Sequence, residues 1–269
     1  MSTNPTPEKI LLAADVGNTT VGVALFRGVR RLRRWRIPVE DLGKPKAMFR
    51  ILSARPAPEA LVICSVNPPA SRKLAQWAER RLGLRPLLVG QDLPIPMPLK
   101  TAPGVGADRL CNALAAYERV RGACVVVSCG TAVTVDAVSA QGEFLGGAIA
   151  CGLRAAARAL HERTALLPLI APRAPARPIG HDTQEAVRIG LVLGTAGAIE
   201  RLVEGARDAL GGTVSVMATG GDAELLGKFV RCFDMIVPGL ALEGVCALYQ
   251  RHLGPGPGKG EAPKTRESG

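Results

Sequence analysis

Apolar and polar positions along this chain switch repeatedly between a period of two and a period near four. Residues 10–16 form a short continuous apolar run, which predicts a buried strand, and 19–26 alternate well enough to be its hairpin partner. A third strand is expected over 31–39, a fourth over 60–66 ending at Asn67-Pro68-Pro69, an amphipathic helix over 71–81 and a strand over 85–89. A helix with small residues on one face follows at 108–120. The pattern then restarts with strands at 123–127, 131–139 and 143–149, and helices at 152–165 and 183–209. A strand at 214–218 runs into Thr219-Gly220-Gly221, and helices at 223–232 and 240–252 close the series.

The two starts lie over each other, with Asp15-Val16-Gly17-Asn18-Thr19 on Ser128-Cys129-Gly130-Thr131-Ala132. In both, an apolar strand turns through Gly and small polar residues into a second strand. This predicts two hairpin-led α/β halves, 9–121 and 122–253, around a cleft, with tails at 1–8 and 254–269. The second tail, GPGPGKGEAPKTRESG, has the wrong glycine spacing for a phosphate loop and no strand before it, so it is expected to be flexible.

Composition narrows the class. Apolar residues make up 47% of 269, enough for a large core, but only 3% are aromatic, so Ala, Val and Leu must build it. No apolar run approaches the roughly 20 residues that span a bilayer. The start, MSTNPTPEK, lacks a basic segment before an apolar stretch, so a cytoplasmic protein is expected. The seven cysteines include no CxxC pair and the three histidines are far apart, which argues against zinc or a disulfide framework and for cysteines used as small buried apolar residues. The net charge of +11 concentrates at Arg27, Arg30, Arg31, Arg33, Arg34 and Arg36. Such a stripe could track phosphates, but no nucleic-acid motif accompanies it, and a solvated edge hairpin accounts for it as well. Nucleic-acid binding therefore has the least sequence support.

Four short elements carry candidate chemistry. Asp15-Val16-Gly17-Asn18-Thr19-Thr20 offers a tight turn with free amides and hydroxyls for phosphate oxygens, and an acid able to hold Mg²⁺. The rival reading, less favoured, is an ordinary Asn-containing hairpin. Ser128-Cys129-Gly130-Thr131-Ala132 is a second hydroxyl-bearing hairpin, and Ala218-Thr219-Gly220-Gly221 would let a flat base lie on the backbone. In Gly106-Ala107-Asp108-Arg109, Asp108 could take a proton from an alcohol and Arg109 could pair with a carboxylate. Asp108 could equally cap a helix with Arg109 a surface charge.

Taken in order, these elements resemble the layout of the actin, Hsp70 and sugar kinase superfamily, with its duplicated ribonuclease H-like α/β fold. Within it the chain closely resembles the type III pantothenate kinases, or Bvg accessory factor family. Further marks are Ser65-Val66-Asn67-Pro68, Gly130-Thr131-Ala132-Val133-Thr134-Val135-Asp136, Gly146-Gly147-Ala148-Ile149, Thr164-Ala165-Leu166-Leu167-Pro168 and Leu240-Ala241-Leu242-Glu243-Gly244. The resemblance covers about 10–250 and implies ATP-dependent phosphorylation of pantothenate, the first step toward coenzyme A. It implies an ATP phosphate loop of Asp15, Val16, Gly17, Asn18, Thr19, Thr20, Val21 and Gly22, with Asp15 on Mg²⁺, and ATP contacts from Thr131, Gly220 and Gly221. It also implies Asp108 as general base, a pantothenate pocket of Gly106, Ala107, Asp108, Arg109 and Thr183, and a homodimer. Three positions depart from the family pattern. Ser128 stands where an aspartate usually holds a monovalent cation (K⁺ or NH₄⁺), Leu99 stands near the place of a pocket tyrosine, and Cys151 replaces a common proline. These departures keep two alternatives open: a kinase of the same superfamily for another small alcohol or hydroxy acid, and a weakly active regulatory paralogue.

Overall fold

The computed structural model describes residues 8–254, so both expected tails lie outside the described residues except for Glu8 and Gly254. The first sheet contains β1 (Ile10–Val16), β2 (Thr20–Arg27), β3 (Arg30–Pro38), β4 (Ala60–Ser65) and β5 (Leu87–Leu88), in the order β3-β2-β1-β4-β5. The hairpin pairs are antiparallel, and β4 and β5 join in parallel. The second sheet contains β6 (Cys124–Cys129), β7 (Ala132–Val138), β8 (Phe144–Cys151), β9 (Ser215–Thr219) and β10 (Met235–Ile236), in the order β10-β9-β6-β7-β8. Read from its hairpin edge, it repeats the first sheet strand for strand. This is the duplicated ribonuclease H-like fold expected from the sequence.

Register makes the duplication more than a likeness of order. Asp15, next to last in β1, faces Gly22 and Cys64; Ser128, next to last in β6, faces Thr134 and Thr219. The two positions are structural equivalents.

Three apolar clusters hold the layers. One covers the outer face of the first sheet, under α1 (Pro45–Leu52) and α2 (Pro68–Leu82). Another covers the outer face of the second, under α4 (Leu153–Arg163) and α5 (Thr183–Leu210). The third lies between the sheets and is filled by α3 (Ala107–Val120) and α7 (Leu240–Leu253). Gly244 explains why these two helices pack so closely, since a Cβ there would stand 2.1 Å from the Cys111 carbonyl oxygen. Each fully buried Val or Leu in these layers contributes about 1.5–3 kcal/mol. Five of the seven cysteines are buried among them as small apolar residues.

Some expected elements differ. The helix expected at 223–232 is one turn, α6 (Ala223–Leu226), because the chain leaves the helix at Gly227 to seat Val230 in the outer core. The strand at 85–89 shrinks to the two residues of β5. The helix α1 and a 3-10 turn at Val39–Asp41 were not anticipated. No helix among the described residues is long and apolar enough to cross a membrane.

Candidate active site

The tips of the two equivalent hairpins meet. The β1–β2 turn closes through the Gly17 amide donating to the Thr20 carbonyl at 3.1 Å, and the β6–β7 turn through the Gly130 amide and the Ala132 carbonyl at 3.0 Å. Across the gap, the hydroxyls of Thr19 and Thr131 are 2.8 Å apart. Asn67 braces the first turn. Its Oδ1 caps α2 by accepting from the Ala70 amide, while its Nδ2 donates to the Gly17 carbonyl at 3.4 Å. That gives the Ser65-Val66-Asn67-Pro68 segment a structural role. Val16 and Val21 are fully buried beneath the turn, so only their backbone can face a ligand.

A cleft of about 460 Å³ opens here, lined by Asp15, Gly17, Asn18, Thr19, Thr20, Gly22, Asp108, Arg109, Ser128, Thr131, Gly220 and Gly221, among others. Sequence elements more than a hundred residues apart are thus one site. Gly220 must be glycine for two reasons: its φ is +99°, and a Cβ would stand 2.3 Å from the Cys129 carbonyl oxygen. This contact seats the glycine pair directly on the second hairpin.

Asp15 and Asp108 form the acidic floor. Burial, and then the Asp108 charge, push the Asp15 carboxyl up to about 7. Asp108 sits in the first turn of α3, where its Oδ1 accepts from the Arg109 amide at 2.8 Å. The position of N-cap belongs to Gly106, which has no side chain to cap with. Asp108 therefore both steadies the helix start and faces the cleft, combining two readings that the sequence held apart. A bare carboxylate pair beside hydroxyl-lined turns is an oxygen-only donor set. It suits Mg²⁺, which takes one or two protein carboxylates and completes its shell with phosphate and water.

Arg109 lines the cleft but is not a free surface charge. Its Nε donates to Asp136 Oδ1 at 2.9 Å, with a second bond from Nη2, and its guanidinium lies 5.5 Å from the centre of the Phe144 ring. Asp136 is only 1% exposed, and its Oδ2 accepts from the Thr134 hydroxyl at 3.0 Å. Leu99 bridges to Phe144 in the same neighbourhood.

Not every expected residue is in the cleft. Thr183 is exposed at the start of α5 and does not line it, and neither do Gly106 and Ala107. The cleft also contains residues that the sequence reading missed. Arg34 and Arg36 face it from β3, and Glu224 faces it from α6. Asn112 is 5% exposed, and its Oδ1 is buried with no partner among the described residues. Its spacing of four from Asp108 on a helix was the available signal.

Comparison with known proteins identifies the family. The family model for type III pantothenate kinase matches residues 11–205. The chain is 38% identical over 257 residues to a type III pantothenate kinase of Thermus thermophilus, covering 92% of this chain and 100% of that one. It is 36% identical over 254 residues to that of Moorella thermoacetica, covering 90% and 100%. Among solved structures, a Baf family protein from Campylobacter jejuni superposes with a TM-score of 0.57 at 17% identity, covering 90% of this chain and 98% of that one, a likeness of fold. On the family model and these relatives together, the chain belongs to the type III pantothenate kinase family.

Proposed function

We propose that this protein transfers the γ-phosphoryl group of ATP to the hydroxyl of pantothenate. Beside family membership, one observation carries the reading: two carboxylates, Asp15 and Asp108, share the floor of a cleft whose walls are two hydroxyl-bearing turns. In-line phosphoryl transfer asks mainly for positioning and charge stabilisation. The amides and hydroxyls of Asn18, Thr19, Thr20 and Thr131 hold the phosphates, and Gly220 and Gly221 accept the adenosine end. Asp15, together with the phosphates, would hold Mg²⁺, which would neutralise charge on the transferring group. Asp108 orients the acceptor hydroxyl and takes its proton as the new P–O bond forms. Arg109, fixed by Asp136, turns the rest of its guanidinium to the pantothenate carboxylate.

Among the described residues, the strand end equivalent to Asp15 brings no carboxylate for a cation. Ser128 brings a hydroxyl without charge, and the nearby carboxylates Asp136 and Asp222 are committed to Arg109 and Arg154. We infer that no monovalent cation is needed.

A homodimer is supported by exposed apolar side chains gathered on β8, α4 and the segment after it, including Ile149, Leu166 and Ile179 at 64%, 90% and 73% exposure. A second copy also gives Thr183 a route to a cleft that its own chain does not offer.

A coupled ADP-release assay across pantothenate, sugars and short hydroxy acids tests the reading. Turnover with pantothenate at least tenfold above every other acceptor is expected. Preference for another acceptor, or no ADP release with any, would overturn it.

A further inference from the structure

The arginines of β3 form a stripe in the sequence, and strand register divides them. Arg36 faces Gly22, and Gly22 faces Asp15, so all three lie in one row on one face of the first sheet. Arg34 is on the same face, opposite Ala24. Neither Gly22 nor Ala24 carries a side chain large enough to screen the arginines from the cleft. Arg33 and Trp35 alternate to the other face, where Trp35 packs against the outer core. Arg31 is partnered, with Nη1 donating to the Pro238 carbonyl at 3.0 Å and lying 3.4 Å from Glu243 Oε1.

Arg34 and Arg36 are different. Both line the cleft, and neither is in an ion pair among the described residues. Both reach across to glycine turns of the second half. A Cβ on Gly221 would stand 2.6 Å from Arg36 Nη2, and one on Gly239 would stand 3.3 Å from Arg34 Cδ. The two neighbouring guanidinium groups repel each other, which Glu224 on α6 only partly offsets at Arg34, and a polyanion between the hydroxyl turns and the glycine pair relieves that repulsion. A planar fork of donors is also the side chain best matched to phosphate oxygens.

We propose that Arg34 and Arg36 are ATP-binding residues that grip the polyphosphate from the first sheet while the glycine turns of the second half receive the nucleoside. The inference rests on the reading of the cleft as an ATP site, not on the identity of the acceptor. Because both arginines reach from one half to the other, ATP bound between them ties the halves together.

Calorimetric titration with ATP and, separately, with adenosine tests this in the full chain. The variants are Arg34→Gln, Arg36→Gln, the double variant and Arg36→Lys, with Arg33→Gln as a control for general loss of charge. ATP affinity is expected to fall about tenfold or more in Arg36→Gln, the scale of one lost charge-assisted hydrogen bond, and further in the double variant. Arg36→Lys should recover part of the loss, and adenosine affinity should stay within about twofold throughout. In turnover, KM for ATP should rise while KM for pantothenate stays put. Unchanged ATP affinity in the double variant, an equal loss in Arg33→Gln, or an equal loss of adenosine affinity would each overturn the inference. If the unmutated chain fails to phosphorylate pantothenate yet its ATP affinity depends on Arg36, the acceptor reading falls and this inference stands.

Discussion

The two hairpins that face each other across the cleft have the same strand order and the same register, yet they carry different charge. At the end of β1 stands Asp15, held near neutrality by burial and by Asp108. At the equivalent place in β6 stands Ser128. Both sheets are built by apolar central strands and by glycines where backbones touch, and none of that depends on the residue at this position. The duplication could therefore keep its shape while acidic function concentrated in the first half. Of the second-half carboxylates, Asp136 and Asp222 are ion-paired, while Glu224 faces the cleft from α6. Asp222, 5% exposed, receives Arg154 Nη1 on both oxygens at 2.7 and 2.8 Å, and Asp136 is bound to Arg109.

The largest way to break this asymmetry is at Asp108. Asp108→Asn keeps size and the contact to the helix start but cannot accept a proton. Turnover should fall by about 10²–10⁴-fold, with the thermal melting curve nearly unchanged. A rate close to the unmutated one would return Asp108 to the role of a helix-start residue. Next in size is Asp136→Ala, which leaves Arg109 in a half-buried site without its partner. A loss of about 3–5 kcal/mol in a urea titration is expected, together with a raised KM for pantothenate.

A smaller effect comes from Asp15 and runs in an unusual direction. Its folded pKa lies above the unfolded value of 3.8, so between about 4 and 7 the folded state binds the extra proton. Its contribution to stability is thus full at low pH and lost as pH rises through about 7. In ligand-free, Mg²⁺-free protein, Asp15→Asn should raise stability at pH 8, on the order of 1–3 kcal/mol, and do little at pH 4. The same variant should weaken use of Mg²⁺-ATP. Equal melting shifts at both pH values would show that Asp15 is not held near neutrality.

Much of the fold was legible because both signals were local: apolar runs marked the strands, and small residues marked the hairpin turns. The short helix α1 was missed because, among its described side chains, only Met48 and Ile51 are buried, although Pro45 at its first turn was a usable start signal. The helix after Gly221 was drawn too long because the apolar residues past Gly227 serve the outer core from irregular backbone. At the site, residues inside motifs were readable, and residues defined by register were not. Arg34 and Arg36 could not be told from Arg33 until β3 was paired with β2. The partner of Arg109 lies 27 residues away on another strand, and no spacing rule connects them.

The claim that the strand end at Ser128, unlike its equivalent at Asp15, holds no cation is tested most directly by K⁺ dependence. In the family pattern an aspartate at the position of Ser128 holds K⁺ or NH₄⁺ beside the ATP phosphates. Turnover should be measured with K⁺ and with K⁺ replaced by a bulky organic cation, in the unmutated chain and in Ser128→Asp. The account predicts rates within about twofold for the unmutated chain, and a clear K⁺ requirement once the carboxylate is introduced. A drop of roughly tenfold or more in the unmutated chain, about 1.4 kcal/mol of barrier, would contradict it.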